Sequence, residues 1–256
     1  MPYENVSIER RGHIAIVRFD RRGSLNAFNQ ATILELTQVA REFQDDLDTR
    51  AVVLTGTTNA FSAGIDLKDS ATWETPETDV ALRHRSYRGV RLCKAWEEMP
   101  QVTVAAMDGL AVGAGVALAL ACDFRVLARD AYLYVPEVKI GLNLQWGALP
   151  RLISLVGPAR AKRIVLLCER MNPQQALDWG LIEEIGEPGG AVPTALRLAG
   201  MAAAMPPATV GMVKEAINAT ANALHHASAY ADADQSAFTR TFKDAIAARA
   251  NFVRKP

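Results

Sequence analysis

Three cysteines, Cys93, Cys122 and Cys168, are odd in number and far apart, and none belongs to a CxxC pair or a Cys/His cluster. That excludes a disulfide framework or a thiolate metal site and reads as buried or half-buried thiols of a reducing compartment. An excess of charge is also missing: 28 Lys and Arg balance 28 Asp and Glu. This removes the electrostatic argument for nucleic acid or an anionic membrane as the main partner. No apolar run stays free of charge for the roughly 20 residues that a membrane-spanning helix needs. The N-terminal "MPYENVSIERRGHIAIVRF" has charges inside its apolar stretch and no small-residue cleavage site, so it predicts no signal peptide and a cytoplasmic protein. Histidines number four, and the adjacent His225 and His226 would point to different azimuths of a helix, which makes no metal constellation. There is no Gly-x-Ser-x-Gly nucleophile elbow.

What is present is a chain of 256 residues, half of them hydrophobic, long enough for one large core or two modest ones. "VSIERRGHIAIVRFD" alternates apolar and polar residues around Arg11-Gly12, a β-hairpin pattern. In "AFNQATILELTQVAREFQDD", Ile33, Leu36, Val39, Ala40 and Phe43 recur at helical spacing. "AVVLTG" from 51 to 56 and "VTVAAMDG" from 102 to 109 read as strands buried on both faces, and "FRVLAR" as a third. Between them, 79–99 predicts one helix stopped by Pro100. Strand, turn, helix, strand used repeatedly predicts an α/β fold with a parallel sheet and helices outside. From Gly157-Pro158 onward "PARAKRIVLLCER", "NPQQALDWG", "PPATVGMVKEAINATANAL" and the Phe238 to Arg254 segment are helical in pattern, with Pro173 and Pro207 at first helical positions. The predicted division is a core over 1–195 and a C-terminal helical region over 196–256.

Two of the turns are rich in small residues. "GLAVGAGVALALACD", 109–123, has glycines spaced as in an anion-binding loop, but no Lys and Ser/Thr pair follows, so a Walker phosphate loop is excluded. "VVLTGTTNAFSAGIDLKD" likewise ends a buried strand. Taken in order, "AFSAGIDL", "DGLAVGAGVALALACD" and "VPEVKIGL" resemble the crotonase superfamily, the enoyl-CoA hydratase/isomerase family. "DRRGSLNAF" is similar to an early family segment, with Arg22 in place of its proline, and "LVGPARAKRIVLLCERMNPQQALDWGLIEEI" to a later helical one.

The resemblance implies a crotonase-like spiral of ββα units with a C-terminal helical trimerisation region, assembled as a homotrimer or a dimer of trimers. It implies an acyl-CoA thioester as substrate, with coenzyme A part of that substrate and no separate cofactor. The thioester oxygen would be held by the backbone N–H groups of Ile65 and Ala114, the latter at a helix N-terminus whose dipole favours an anion. Leu25, Ala63, Asp66, Leu67 and Lys68 would line the CoA site, and Asp66 could equally be a turn residue.

Hydratases of the family use two glutamates. The position of the first is Ala117 here, and the second is present as Glu137. One carboxylate in an apolar pocket would have a raised pKa and could take and return a proton near neutral pH. The expectation is therefore a double-bond isomerase with Glu137 as its single glutamate. Hydratase or hydratase-lyase chemistry on Glu137 alone, and a catalytically silent acyl-CoA-binding member, are the alternatives. Where some relatives carry an aspartate this chain has Gln145, against dehalogenase and dienoyl-isomerase chemistry. Asn143 and Trp146 are candidates to shape the acyl pocket, with core packing as the other reading of the tryptophan. Arg83, His84, Arg85, Arg88 and Arg91 form a basic helix face that could reach CoA phosphates or simply be solvated.

Overall fold

The computed structural model describes residues 3–73 and 78–253. β1 (Val6–Arg11) and β2 (Ile14–Phe19) form the antiparallel hairpin. α1 (Gln30–Gln44) starts at Asn29, whose side chain accepts the Thr32 N–H, and it buries the five apolar residues that the spacing singled out. β3 (Ala51–Thr55) and β4 (Val102–Met107) are buried at every position. Between them lie α2 (Ser70–Trp73), α3 (Asp79–Ser86) and α4 (Arg88–Glu97). The single helix predicted over 79–99 is thus two, capped against one another at Tyr87.

β5 (Leu110–Val112), α5 (Ala114–Ala119), β6 (Phe124–Ala128) and β7 (Tyr132–Tyr134) follow. The helical half contains α6 (Ala148–Leu166), α7 (Pro173–Asp178), α8 (Ala191–Ala203), α9 (Pro207–Ala221), α10 (His225–Ala229), α11 (Asp232–Thr239) and α12 (Lys243–Val253). α6 begins nine residues before Gly157, and Gly157 interrupts its helical dihedrals just ahead of Pro158. Arg254, the last residue of the expected C-terminal helix, lies outside the described residues.

Between the helices after Gly157 lies one strand that the sequence pattern does not announce, β8 (Glu184–Gly186). This strand of three residues is too short to show a period, and it forms because β6 offers it a parallel edge. The main sheet runs β1-β2-β3-β4-β6-β8, parallel throughout after the hairpin, and β5 pairs with β7 in a small second sheet. The α/β architecture with a parallel sheet is the one expected.

Helix α8 lies along the main sheet, against β2, β3, β4, β6 and β8. Its contact face is a column of alanines at every fourth position, Ala191, Ala195, Ala199 and Ala203, all buried. Small side chains let the helix approach the strands closely. Residue 195, where the core was expected to end, falls in the middle of this column. Ala195→Leu inserts three carbons with no room to receive them, and should lower stability by about 1–3 kcal/mol. Urea unfolding with unchanged slope and a lower midpoint is the expected result.

Candidate active site

The turn after β3 and the turn after β5 are joined by backbone. Ser62 N–H donates to Leu110 O at 3.0 Å, and Val112 N–H to Ser62 O at 2.8 Å. Gly64 sits at φ 89° and its N–H donates to the Ser62 hydroxyl at 3.1 Å, which turns the chain so that Ile65 N–H heads away from the ladder. A Cβ on Gly64 would come within 2.9 Å of Val112 O and 3.6 Å of Ala114 N, a measure of how closely the two turns approach. Gly113, at φ 51°, is the residue before α5. Neither Ile65 N–H nor Ala114 N–H donates a hydrogen bond among the described residues.

Buried asparagine stitches the first loop to the same place. Asn26 donates from Nδ2 to Phe19 O at 3.0 Å and to Phe61 O at 2.9 Å, and its Oδ1 accepts the Arg21 N–H at 3.0 Å. Leu25 is exposed, with φ 47°, and its carbonyl accepts the Ala63 N–H at 3.0 Å. Asp66 accepts the Lys68 N–H at 2.8 Å and ion-pairs with Arg21 at 2.5 Å. Burial alone would raise the Asp66 carboxyl, but the Arg21 guanidinium and the Lys68 N–H outweigh it and hold it below its ordinary value. The Asp66 side chain is therefore a turn and ion-pair residue. Ala63 and Leu67 are half-buried beside it and Lys68 is exposed. Leu25, Ala63, Asp66, Leu67 and Lys68 thus lie in two loops that touch.

Glu137 opens the short 3-10 turn Glu137–Ile140, three residues after β7. Gly113 N–H donates to Tyr134 O at 2.8 Å, which fixes β7, and so Glu137, against the start of α5. A Cβ on Gly113 would overlap Glu137 Oε1, so the carboxyl is pressed against the glycine turn. From the other side α12 packs on the turn, with Ala245 in contact with Gly141. Glu137 Oε2 is buried and has no hydrogen-bond partner among the described residues. Burial raises the carboxyl from its ordinary value of 4.5 to about 7, against a smaller lowering by its own backbone N–H.

Ile65, Ala114, Ala117 and Glu137 line one cavity. Ala117 carries no acid, and Glu137 is the only carboxylate among the described residues of its wall. Gln145 and Trp146 also line it, whereas Asn143 is turned elsewhere and donates to Asp232 O at 3.0 Å. Of the basic helix face, Arg85 and Arg88 reach the cavity wall; Arg83 ion-pairs with Asp234 at 3.1 Å, and Arg91 holds His84. Several wall residues carried no signal of a site in the sequence, among them Gln30, Gly89, Arg240 and Ile33, which the spacing marked only as core. They come from α1, α4 and a segment a hundred residues downstream, and only tertiary packing gathers them. No group of three or more His, Cys, Asp or Glu positioned to hold a metal ion occurs among the described residues.

Between pH 4.5 and 7 folded Glu137 keeps a proton that the unfolded chain has released, so its contribution is present below pH 4.5 and lost as pH rises through 7. Glu137→Gln, which cannot ionise, should gain stability relative to the wild type between pH 4.5 and pH 8 by up to about 3 kcal/mol. Chemical unfolding of both proteins at the two pH values measures the difference.

A family model described as enoyl-CoA hydratase/isomerase matches residues 9–255. The short-chain-enoyl-CoA hydratase of Clostridium acetobutylicum is 32% identical over 219 residues, 85% of this chain and 82% of that protein. A probable enoyl-CoA hydratase of Mycobacterium tuberculosis is 36% identical over 182 residues, 71% of this chain and 70% of that one. Among solved structures, Pseudomonas aeruginosa OdaA superposes with a TM-score of 0.88 at 27% identity, covering 98% of this chain and 100% of its own. No helix among the described residues is long and apolar enough to cross a membrane. Glycine turns in this order, the sheet they terminate and these matches agree: the chain belongs to the enoyl-CoA hydratase/isomerase family, the crotonase superfamily.

Proposed function

We propose that this protein is an enoyl-CoA isomerase that moves a double bond along an acyl-CoA thioester with Glu137 as its single acid/base. The observation that carries the reading is the Glu137 carboxyl: it is enclosed, its Oε2 lacks a partner among the described residues, and it shares a cavity with Ile65 and Ala114 while Ala117 leaves the described wall without a second acid. The two N–H groups would hold the thioester oxygen, on which negative charge concentrates once a proton leaves C2. Each such donor typically contributes roughly 3–4 kcal/mol to the transition state. Glu137 takes the C2 proton of a 3-enoyl thioester, becomes the neutral acid, and returns the proton to C4 of the dienolate, leaving the double bond between C2 and C3. A pKa raised to about 7 suits both halves of that exchange.

The CoA moiety would lie along Leu25, Ala63, Asp66, Leu67 and Lys68, with backbone groups of these loops as its contacts. Hydration is the second reading, favoured by the names of the two relatives above. It requires water to be activated and a proton delivered at adjacent carbons, and Glu137 would have to serve both. The assembly that goes with either reading is a homotrimer or a pair of trimers.

Glu137→Gln should lower proton exchange at C2 and C4 of 3-enoyl-CoA thioesters in deuterated water by a factor of about 10²–10⁴, with CoA-thioester binding retained. The wild-type rate should rise with pH through an apparent pKa near 7 as the base form accumulates. A 3-hydroxyacyl product in place of the shifted alkene would replace isomerase with hydratase, and absence of exchange in the wild type would leave only a binding role.

A further inference from the structure

Trp146 is 5% exposed and has a left-handed backbone, φ 67°, unusual for a bulky residue, and Gly147 follows at φ 68°. Three contacts hold the pair in place. Arg151 Nη1 donates to Trp146 O and to Gly147 O, both at 3.1 Å, and Gly147 N–H donates to Asp232 Oδ2 at 2.7 Å. Arg151 is in turn locked by a bidentate ion pair with Glu97 on α4, at 2.8 and 2.9 Å. The same helix supplies the slot for the indole. A Cβ on Gly89 would overlap Trp146 Cε2 and Nε1, so the ring lies on bare helix backbone, with Phe28 on another side at a ring-centroid distance of 5.9 Å.

The indole so fixed lines the cavity that contains Glu137, and the cavity is small, about 70 Å³. An engineered cavity of about 150 Å³ holds one benzene molecule, so this one has room for only a few carbons. Its wall is apolar only in part. Beside Ile33, Ile140, Leu142 and Leu144 the lining includes the polar residues Gln30, Thr72, Arg85, Arg88 and Arg240. Arg88 Nη1 donates to Gln30 Oε1 at 2.8 Å and Gln30 Nε2 to Thr72 Oγ1 at 3.1 Å, a hydrogen-bonded part of the wall that an alkyl tail packed against it would have to break or desolvate.

We infer that Trp146, seated on Gly89, is a specificity-determining residue that restricts the acyl group to short chains. The inference rests on the acyl-CoA reading and adds the substrate class to it. Glu97, Arg151 and Asp232 are positioning residues for the wedge, acting through the Trp146-Gly147 backbone.

The test is calorimetric binding of saturated thioesters, butyryl-CoA and octanoyl-CoA, which needs no turnover. The wild type should bind butyryl-CoA at least tenfold more tightly than octanoyl-CoA. Trp146→Ala should shift that ratio at least tenfold towards octanoyl-CoA, and Trp146→Phe, which keeps a ring against Phe28, should shift it in the same direction by less. Circular dichroism checks the fold of each, and the phenylalanine variant decides if the alanine one does not fold. Gly89→Ala should push the indole into the cavity and weaken butyryl-CoA. Equal affinity for the two thioesters in the wild type, or a ratio unmoved by the folded variants, overturns the inference while the acyl-CoA reading stands. Failure of every thioester to bind overturns both.

Discussion

The close approach of two turns, one after β3 and one after β5, is the constraint on which the cavity depends. Ser62 is bonded to Leu110 and Val112, and Gly64 and Gly113 bend the chain so that the next N–H on each side is left out of the ladder. An N–H left over in this way costs free energy if it stays buried and dry, and two of them at one place are what the proposed hold on a thioester oxygen would use. The sheet behind the turns is buried on both faces at β3 and β4, which makes the platform rigid.

Glu137 is held to that platform by contacts that have nothing to do with charge. Gly113 meets β7 through Tyr134 O, Glu137 Oε1 rests on the Gly113 backbone, and α12 closes over Gly141 behind it. Burial without an ion-pair partner raises the carboxyl to about 7. Asp66, the residue after Ile65, makes the contrast. It is also partly buried, yet Arg21 and a backbone N–H keep it ionised and structural. The two carboxylates thus differ in kind because one has an arginine beside it and the other is buried with no partner but its own backbone N–H.

Helix α4 links the two ends of the molecule. It stacks against α1, where Trp96 Nε1 donates to Leu36 O at 3.1 Å, and it offers Gly89 to the indole of Trp146 and Glu97 to Arg151. Through Arg151 and Gly147 the start of α6 is tied to Asp232 at the start of α11. Residues of the C-terminal half therefore help to shape a cavity that Ile65, Ala114, Ala117 and Glu137 also line.

Sequence alone determined what local pattern can encode. The hairpin, α1, β3, β4 and β6 follow from apolar spacing, because burial on one face or two leaves a period. Glycines at 64 and 113 announce turns, and the order of those turns, with Glu137 after them and Ala117 where an acid would otherwise stand, carried the family and the expected site. Tertiary structure decided the rest. β8 is a strand only because β6 has a free edge, and the break at Tyr87 divides a segment whose periodicity runs on through it. Gly89, Arg151 and Asp232 carry no motif, and their bearing on Trp146 exists only where α4, α6 and α11 meet. A period records which face of an element is buried; it holds no record of which distant side chain lies against it.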